Sequence, residues 1–167
     1  NYRSGGTEPV RDYVRLTQAR AARDTPVVLV LFGDHKPWMG NGGSVYEEMG
    51  IDFDTSTLAG FRNYYATPYL IWANRAAKEV LGADFTGDGG DFSPCFLMTR
   101  LFDACGWAGP GYMQLSRAMR DISPLLHTNG LFLHDGVLTS VLSDTDRSFY
   151  RSWLAVQYYR EHVAAYS

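Results

Sequence analysis

Two uninterrupted apolar runs stand out along the chain and predict strands. Residues 27–32, VVLVLF, are mostly β-branched or aromatic, which is typical of a strand buried on both faces in a parallel sheet covered by helices. Gly33 ends that run. Residues 67–72, TPYLIW, predict a second strand, with Pro68 near its start, where a missing backbone N–H is tolerated.

Before, between and after these runs, apolar residues recur at helical spacing, and capping residues mark the ends. The predicted helices are 8–23, 44–50, 56–65, 76–81, 94–106, 112–120 and 147–164. Ser44 and Glu47 have the spacing of a capping box, Gly82 suits a C-terminal cap, and Ser93 suits an N-cap before a proline. Ser143 or Asp144 is expected to cap the last helix.

The dipeptide Asp135-Gly136 lies between two apolar runs and predicts a two-residue β-hairpin turn. Helices interleaved with strands predict an α/β fold. We therefore expect a sheet flanked by helices, followed by a C-terminal hairpin and helix.

Composition is that of one globular domain, with 167 residues, 46% hydrophobic and 20% charged. The net charge is −3 and the 15 basic residues are scattered, so no nucleic-acid partner is expected. Cys95 and Cys105 lie in one predicted helix and do not form a disulfide framework. No apolar run approaches the roughly 20 residues of a membrane span, and residues 1–10 have no signal-peptide features.

Asp34 and His35 follow the first predicted strand directly. Sites in open α/β sheets lie at strand ends, and carboxylate oxygen and imidazole nitrogen are good ligands for Zn²⁺ or Mn²⁺. Both groups can reach one centre only if the chain leaves the extended form at residues 33–35, which Gly33 permits. The alternative is structural: a carboxylate that caps nearby backbone, with a histidine hydrogen-bonded beside it.

Three blocks in order resemble one known family. They are FGDHKPW at 32–38, YYATPYLIWAN at 64–74 and SPCFLM at 93–98, and a later QYY step at 157–159 continues the pattern. Together they resemble the C-terminal part of the lipoteichoic acid synthase-like branch of the sulfatase and alkaline phosphatase superfamily, over about residues 8–165. The resemblance implies a fragment of an alkaline-phosphatase-like sandwich, in which Asp34 and His35 are two ligands of a catalytic Mn²⁺ or Zn²⁺.

The resemblance also implies that the nucleophile, a threonine or serine, lies upstream, so we expect no catalytic nucleophile here and an inactive fragment. Neither Cys95 nor Cys105 fits the sulfatase pattern C-x-[PSA]-x-R. The parent would be a phosphoglycerol transferase, or a sulfatase- or phosphatase-type hydrolase. It would act on phosphate or sulfate esters at the extracellular face of a bacterial membrane, anchored by N-terminal spans. Its substrate would be a phospholipid or polyglycerol phosphate.

Two further residues of the first block are candidate substrate contacts. Lys36 could hold a phosphate oxygen, or be a solvated loop lysine; Trp38 could pack against a glycerol or sugar, or cover the strand end. The remaining polar and aromatic clusters are expected to be structural. These are Asp84, Asp88 and Asp91 in a turn-rich loop, the lone histidines His127, His134 and His162, and the aromatic residues Tyr64, Tyr65, Tyr69 and Trp72.

Two other hypotheses remain open. The chain could be a non-catalytic α/β binding module in which Asp34 and His35 are structural. It could also be a self-contained metallohydrolase that completes its site with Asp12, Asp52 or Asp54. For a fragment, exposed strand edges predict self-association.

Overall fold

The computed structural model describes residues 8–21, 23–37 and 39–163. Over these residues the chain forms seven α-helices and two antiparallel strand pairs. The helices are α1 (Glu8–Ala21), α2 (Ser44–Glu48), α3 (Leu58–Tyr65), α4 (Arg75–Leu81), α5 (Leu97–Ala104), α6 (Gly111–Ile122) and α7 (Asp144–His162). The strands are β1 (Val28–Phe32), β2 (Tyr69–Ala73), β3 (Phe132–His134) and β4 (Val137–Thr139). The mixed α/β class and the C-terminal hairpin and helix are as predicted.

Strands β1 and β2 pair antiparallel, from Val28 opposite Ala73 to Phe32 opposite Tyr69. The prediction of a parallel sheet buried on both faces was therefore wrong. Side chains on both faces are only partly covered, and Phe32 is 62% exposed. A continuous apolar run indicates a strand, but it fixes neither the direction of the partner strand nor what covers each face.

Asn74 follows β2 and is 1% exposed. Its Oδ1 accepts hydrogen bonds from the backbone N–H groups of Val27 and Ala77, at 3.0 and 2.9 Å. Its Nδ2 donates toward the carbonyl oxygens of residues 20, 23 and 25. One side chain thus caps α4 and joins it to the segment between α1 and β1.

Several helix ends form as their residues predict. Gly82 ends α4 with φ of 63°, and the hydroxyl of Ser143 accepts from the N–H of Asp146 at the start of α7. Asp135 and Gly136 form the hairpin turn with φ of 49° and 78°. These positions are governed by local backbone geometry, which the side chain or its absence sets directly.

One predicted cap was wrong. Ser44 is the first residue of α2, and the cap position belongs to Gly43, with φ of 84°. Ser93 does occupy the N-cap position before Pro94, but of a 3₁₀ turn over Pro94–Phe96, and its hydroxyl bonds to the backbone of Leu126 rather than capping the turn. Cys95 and Cys105 consequently lie outside α5, on either side of it.

The hydrophobic core lies where α6, α7 and the 94–96 turn meet. Phe96 and Met119 are fully buried and Trp153 is 3% exposed. The indole N–H of Trp153 donates to the hydroxyl of Ser116 at 3.0 Å, which satisfies both buried groups. Tyr150 stacks on Trp153 and meets the ring of Phe132 edge-on, so the hairpin packs onto this core.

Aromatic contacts join the β1–β2 pair and α3 to the helical region. His127 packs between Phe61 and Tyr65 of α3, with ring centroids 5.3 and 4.5 Å away. Tyr69 of β2 packs against Phe92 at 4.8 Å. These contacts hold α3 and β2 against the residues that follow α4 in the chain.

None of the described helices combines the length and the apolar character that crossing a membrane requires.

Candidate functional site

The strand-end loop, residues 33–37, presents Asp34 and His35 together at the surface. Oδ2 of Asp34 lies 3.5 Å from Nε2 of His35, and the two side chains are 82% and 79% exposed. The other carboxylate oxygen of Asp34 accepts the backbone N–H of His35 at 2.8 Å. One oxygen and one nitrogen therefore lie close together in an exposed position.

The two imidazole nitrogens of His35 face different acceptors. Nδ1 lies 3.0 Å from the carbonyl oxygen of Lys36, and Nε2 lies beside the Asp34 carboxylate. When Nδ1 donates to the carbonyl of Lys36, a neutral ring carries its lone pair on Nε2. Metal-binding histidines commonly donate their other N–H to a backbone carbonyl in this way.

Three side chains anchor the backbone of the strand-end loop. Thr67 donates its hydroxyl to the carbonyl of Gly33 at 2.7 Å, and Tyr46 donates to the carbonyl of Pro37 at 2.6 Å. The ammonium group of Lys36 donates to the backbone carbonyl of Asn63, in the last turn of α3. The loop is thus tied to α2, α3 and the segment that leads into β2, while its tip stays exposed.

Gly33 is required here for space rather than for conformational freedom. Its φ lies outside the left-handed region. A Cβ at this position would sit 3.0 Å from Cβ of Thr67, because the two chains approach closely where the Thr67 hydroxyl reaches Gly33. The expected departure from the extended form at residues 33–35 does occur, since β1 ends at Phe32 and residues 34–35 form a bend.

Lys36 is neither free in solvent nor directed at the Asp34–His35 pair. It is partly buried, and its bond to Asn63 makes it part of the support of the loop. Trp38, the other candidate substrate contact, lies outside the described residues.

The donor pair fits one edge of a metal site. Two ligand atoms each about 2.1 Å from a tetrahedral zinc are separated by roughly 3.4 Å, and the observed separation is close to that. Across residues 8–21, 23–37 and 39–163, however, no three His, Cys, Asp or Glu side chains come close enough together to hold a metal. Asp34 and His35 are therefore two donors without a third beside them in the described part of the chain.

The carboxylates considered for completing the site are engaged locally. Asp52 accepts the N–H of Asp54, and Asp54 accepts both the N–H and the hydroxyl of Ser56. Those bonds from Ser56 hold the pKa of Asp54 below its usual value. Asp12 lies 3.8 Å from Arg15 within α1.

Other polar candidates have structural partners. In the 84–91 loop, Asp84 and Asp88 each accept a backbone N–H two residues on, and Asp91 pairs with Arg62 of α3. His134 lies between Asp135 and Asp146, at 3.2 and 3.8 Å. His162 stacks on the ring of Tyr158 within α7.

The two thiols are poor nucleophiles. Cys95 lies at the surface, yet desolvation by the surrounding protein raises the pKa of its thiol to about 11. Burial also raises the pKa of the Cys105 thiol. Since the thiolate is the reactive form, neither residue is activated at neutral pH.

Sequence reasoning missed an arginine cluster in the helical region. Asp103 of α5 accepts from Arg117 at 2.6 Å and from Arg120 at 2.7 Å, both on α6. Desolvation of the Asp103 carboxyl opposes its ionisation, but the hydrogen bonds and charges of the two arginines outweigh this and lower its pKa. Arg117 and Arg120 lie 14 and 17 positions after Asp103 in the sequence, so only the packing of α5 on α6 reveals the cluster.

Comparisons with known proteins assign no family. No protein-family model, curated protein or solved structure matches the chain. Its function must therefore be argued from the geometry of the strand-end loop and from the motif resemblance.

Proposed function

We propose that the chain is the C-terminal portion of a metal-dependent enzyme acting on phosphate or sulfate esters at the cell envelope, and that it supplies two metal ligands, Asp34 and His35. The parent reaction would be phosphoglycerol transfer of the lipoteichoic acid synthase type, or the related sulfatase- or phosphatase-type hydrolysis. The observation that supports this best is the 3.5 Å approach of Oδ2 of Asp34 and Nε2 of His35 on an anchored loop.

Each residue of the strand-end loop has a distinct role in this proposal. Asp34 provides a negatively charged oxygen, and its second oxygen keeps the carboxylate oriented through the N–H of His35. His35 provides the lone pair of Nε2, in the tautomer whose Nδ1 donates to the carbonyl of Lys36. Thr67, Tyr46 and Lys36 hold the backbone so that both donors are positioned before a cation arrives.

A Mn²⁺ or Zn²⁺ ion held there would lower the pKa of an attacking hydroxyl and offset the charge that develops on the transferred group. The attacking hydroxyl, on a threonine or serine, and the remaining ligands are assigned to a part of the enzyme outside this chain. The group would pass from the ester oxygen to that hydroxyl, with release of the ester's alcohol, and then to an acceptor hydroxyl or to water, with release of the threonine or serine.

Paramagnetic NMR tests the metal role on this chain. Substoichiometric Mn²⁺ should broaden the amide signals of residues 33–37 first, because the two donors are preorganised there. Asp34→Ala should abolish this selective broadening. The matched control is Asp24→Ala, which removes a carboxylate whose side chain is 100% exposed near the other end of β1. Equal broadening around Asp24 and Asp34 would contradict the assignment.

A longer protein that includes the catalytic half gives the stronger test. It should retain one Mn²⁺ or Zn²⁺ through dialysis, whereas the 167-residue chain should bind the ion weakly. Asp34→Ala in the longer protein should release the metal and abolish ester cleavage. Full metal occupancy after that substitution would instead favour the non-catalytic binding module.

One observation favours that second candidate. The hydrogen bond from the N–H of His35 to Asp34 is the local capping contact expected if the carboxylate only shapes the turn. The metal and capping roles use different oxygens of Asp34, so Asp34→Asn separates them: the amide oxygen retains the turn contact, but the charge that a cation needs is lost.

A further inference from the structure

A cavity of about 240 Å³ lies on the helical region, away from the strand-end loop. The 89–92 segment forms one wall, and Arg100 of α5, Arg120 of α6 and Pro124 form the others. Drug-sized ligands occupy pockets of roughly 300–1,000 Å³. The cavity therefore suits a small group or ion.

Arg120 has donor capacity that the protein leaves unused. Its side chain is only 17% exposed, and Nη2 bonds to Asp103. Nη1 is buried and has no hydrogen-bond partner within the described part of the chain. A buried guanidinium nitrogen without an acceptor is unusual, because buried polar groups are almost always paired.

Arg100 adds a second positive charge to the same cavity. It is partly buried, and among residues 8–21, 23–37 and 39–163 it makes no ion pair or side-chain hydrogen bond. An unpaired arginine and an incompletely paired one thus share one cavity.

Nearby carboxylates leave these charges incompletely offset. Asp103 has one oxygen on Arg117 and the other on Arg120, so a single negative charge serves two arginines. Asp91 lines the cavity but forms an ion pair with Arg62. Asp121 is 70% exposed and lies 4.0 Å from Arg120, so water screens its contribution.

We propose that this cavity binds a phosphate group, as inorganic phosphate or as a small phosphate monoester, through Arg100 and Arg120. The guanidinium group is planar, permanently charged and matched to oxyanions. A tetrahedral phosphate has more oxygens than a carboxylate, so it can accept from Arg100 and Arg120 while Asp103 keeps its bonds to Arg117 and Arg120.

The wall opposite the arginines has little room to rearrange. Tyr69 donates its hydroxyl to the carbonyl of Gly90, and a Cβ at Gly89 would lie 1.6 Å from that hydroxyl oxygen. The 89–92 segment is therefore packed against β2, so this wall is in place before any ligand enters, and a preformed wall loses less free energy to ordering on binding. Nη1 of Arg120 is buried, so its side chain must shift for a ligand to reach that nitrogen.

This inference does not depend on the proposed metal site. The two sites share no residue, and phosphate binding here requires no cation. Failure of either test leaves the other unaffected.

NMR titration of the whole chain tests the proposal, with the Nε signals of arginine as reporters. Inorganic phosphate and glycerol phosphate distinguish the free ion from its monoester; chloride and acetate at equal ionic strength are the controls. Saturable shifts at Arg100 and Arg120 with either phosphate compound are expected. Arg100→Gln should raise the Kd about tenfold or more, since a hydrogen bond to a charged group is lost.

The matched control is Arg75→Gln, which removes an arginine 73% exposed on α4 and should leave the Kd unchanged. Arg120→Lys keeps the positive charge beside Asp103 but loses the planar guanidinium group and its paired N–H donors. This variant should also weaken phosphate binding. The indole signal of buried Trp153 reports that each variant is folded. A folded Arg100→Gln protein with unchanged phosphate affinity, or equal responses to phosphate and chloride, would overturn the proposal.

Discussion

Replacing Asn74 with alanine should remove more stability than any other single polar substitution in the sheet region. Asn74 is 1% exposed. Its side-chain oxygen accepts two backbone hydrogen bonds, and its side-chain nitrogen lies within donating distance of three backbone carbonyl oxygens. Because Nδ2 carries two protons, these amount to about four hydrogen bonds at once. At about 1 kcal/mol each, the expected loss is about 4 kcal/mol.

That loss is large compared with the roughly 5–15 kcal/mol by which domains are usually stable. It includes the capping of α4, which accounts for about 1 kcal/mol. Urea denaturation followed by tryptophan fluorescence measures it. With a slope near 2 kcal/mol/M, the midpoint should fall by about 2 M at unchanged slope.

The control is Asn63→Ala, which removes one side-chain hydrogen bond, to the carbonyl of Asp52, and should cost less than about 1 kcal/mol. If Asn74→Ala cost no more than that control, the network around Asn74 would not hold the start of β1 and of α4. The Asn74 side chain would then not be what positions β1.

Two further predictions follow from the helices. Asp103 has a lowered pKa in the folded state, so its contribution to stability is present above the unfolded value near 3.9 and is lost as pH falls through the folded pKa. Urea denaturation should therefore show that Asp103→Asn lowers the free energy of unfolding by about 2 kcal/mol at about pH 7. Below about pH 4, the free energies of unfolding of the variant and the native chain should approach each other. A difference between them that does not change with pH would contradict this. Gly60→Ala should destabilise by about 3 kcal/mol, because a Cβ there would lie 2.1 Å from the carbonyl oxygen of Asp54. Gly111→Ala, also helical but with open space around it, should be neutral or stabilising, so similar thermal shifts for the two alanines would refute the packing argument.

Local signals in the sequence predicted the parts of the fold that depend on one or two residues. Asp135-Gly136 specified the hairpin turn and Gly82 the end of α4, because few residues adopt positive φ without strain. Ser143 specified the start of α7 for a similar local reason. The presence of the long helices followed from periodicity, but their bounds did not: α7 begins at Asp144 rather than at residue 147 and ends at His162.

Properties set by distant parts of the chain were not predictable in the same way. The antiparallel pairing of β1 depends on β2, about 40 positions away, and the apolar pattern of β1 is compatible with either direction. Ser93 resembles an N-cap, but Leu126 competes for its hydroxyl. The role of Asn74 likewise depends on carbonyl groups about 50 positions earlier in the chain.

The candidate site also has a part that local sequence predicts and a part that depends on distant residues. Adjacency in sequence was sufficient to propose Asp34 and His35, and the bend after β1 brings their donor atoms to 3.5 Å. The bonds that anchor the strand-end loop, from Thr67 and Tyr46, depend on tertiary packing and carry no sequence signal. The cavity between Arg100 and Arg120 depends on how α5 packs against α6.

The contrast between an anchored backbone and an exposed tip separates a ligand-binding role for Asp34 from a structural one. A residue that mainly stabilises the fold should be costly to remove. The Asp34 side chain, however, is 82% exposed, and among residues 8–21, 23–37 and 39–163 its polar contacts are with His35 alone. Asp34→Ala should therefore cost less than about 1 kcal/mol in urea denaturation while it abolishes selective broadening by Mn²⁺. A loss of stability near that expected for Asn74→Ala would mean that the carboxylate holds the loop together, and the binding-module hypothesis would then replace the metal proposal.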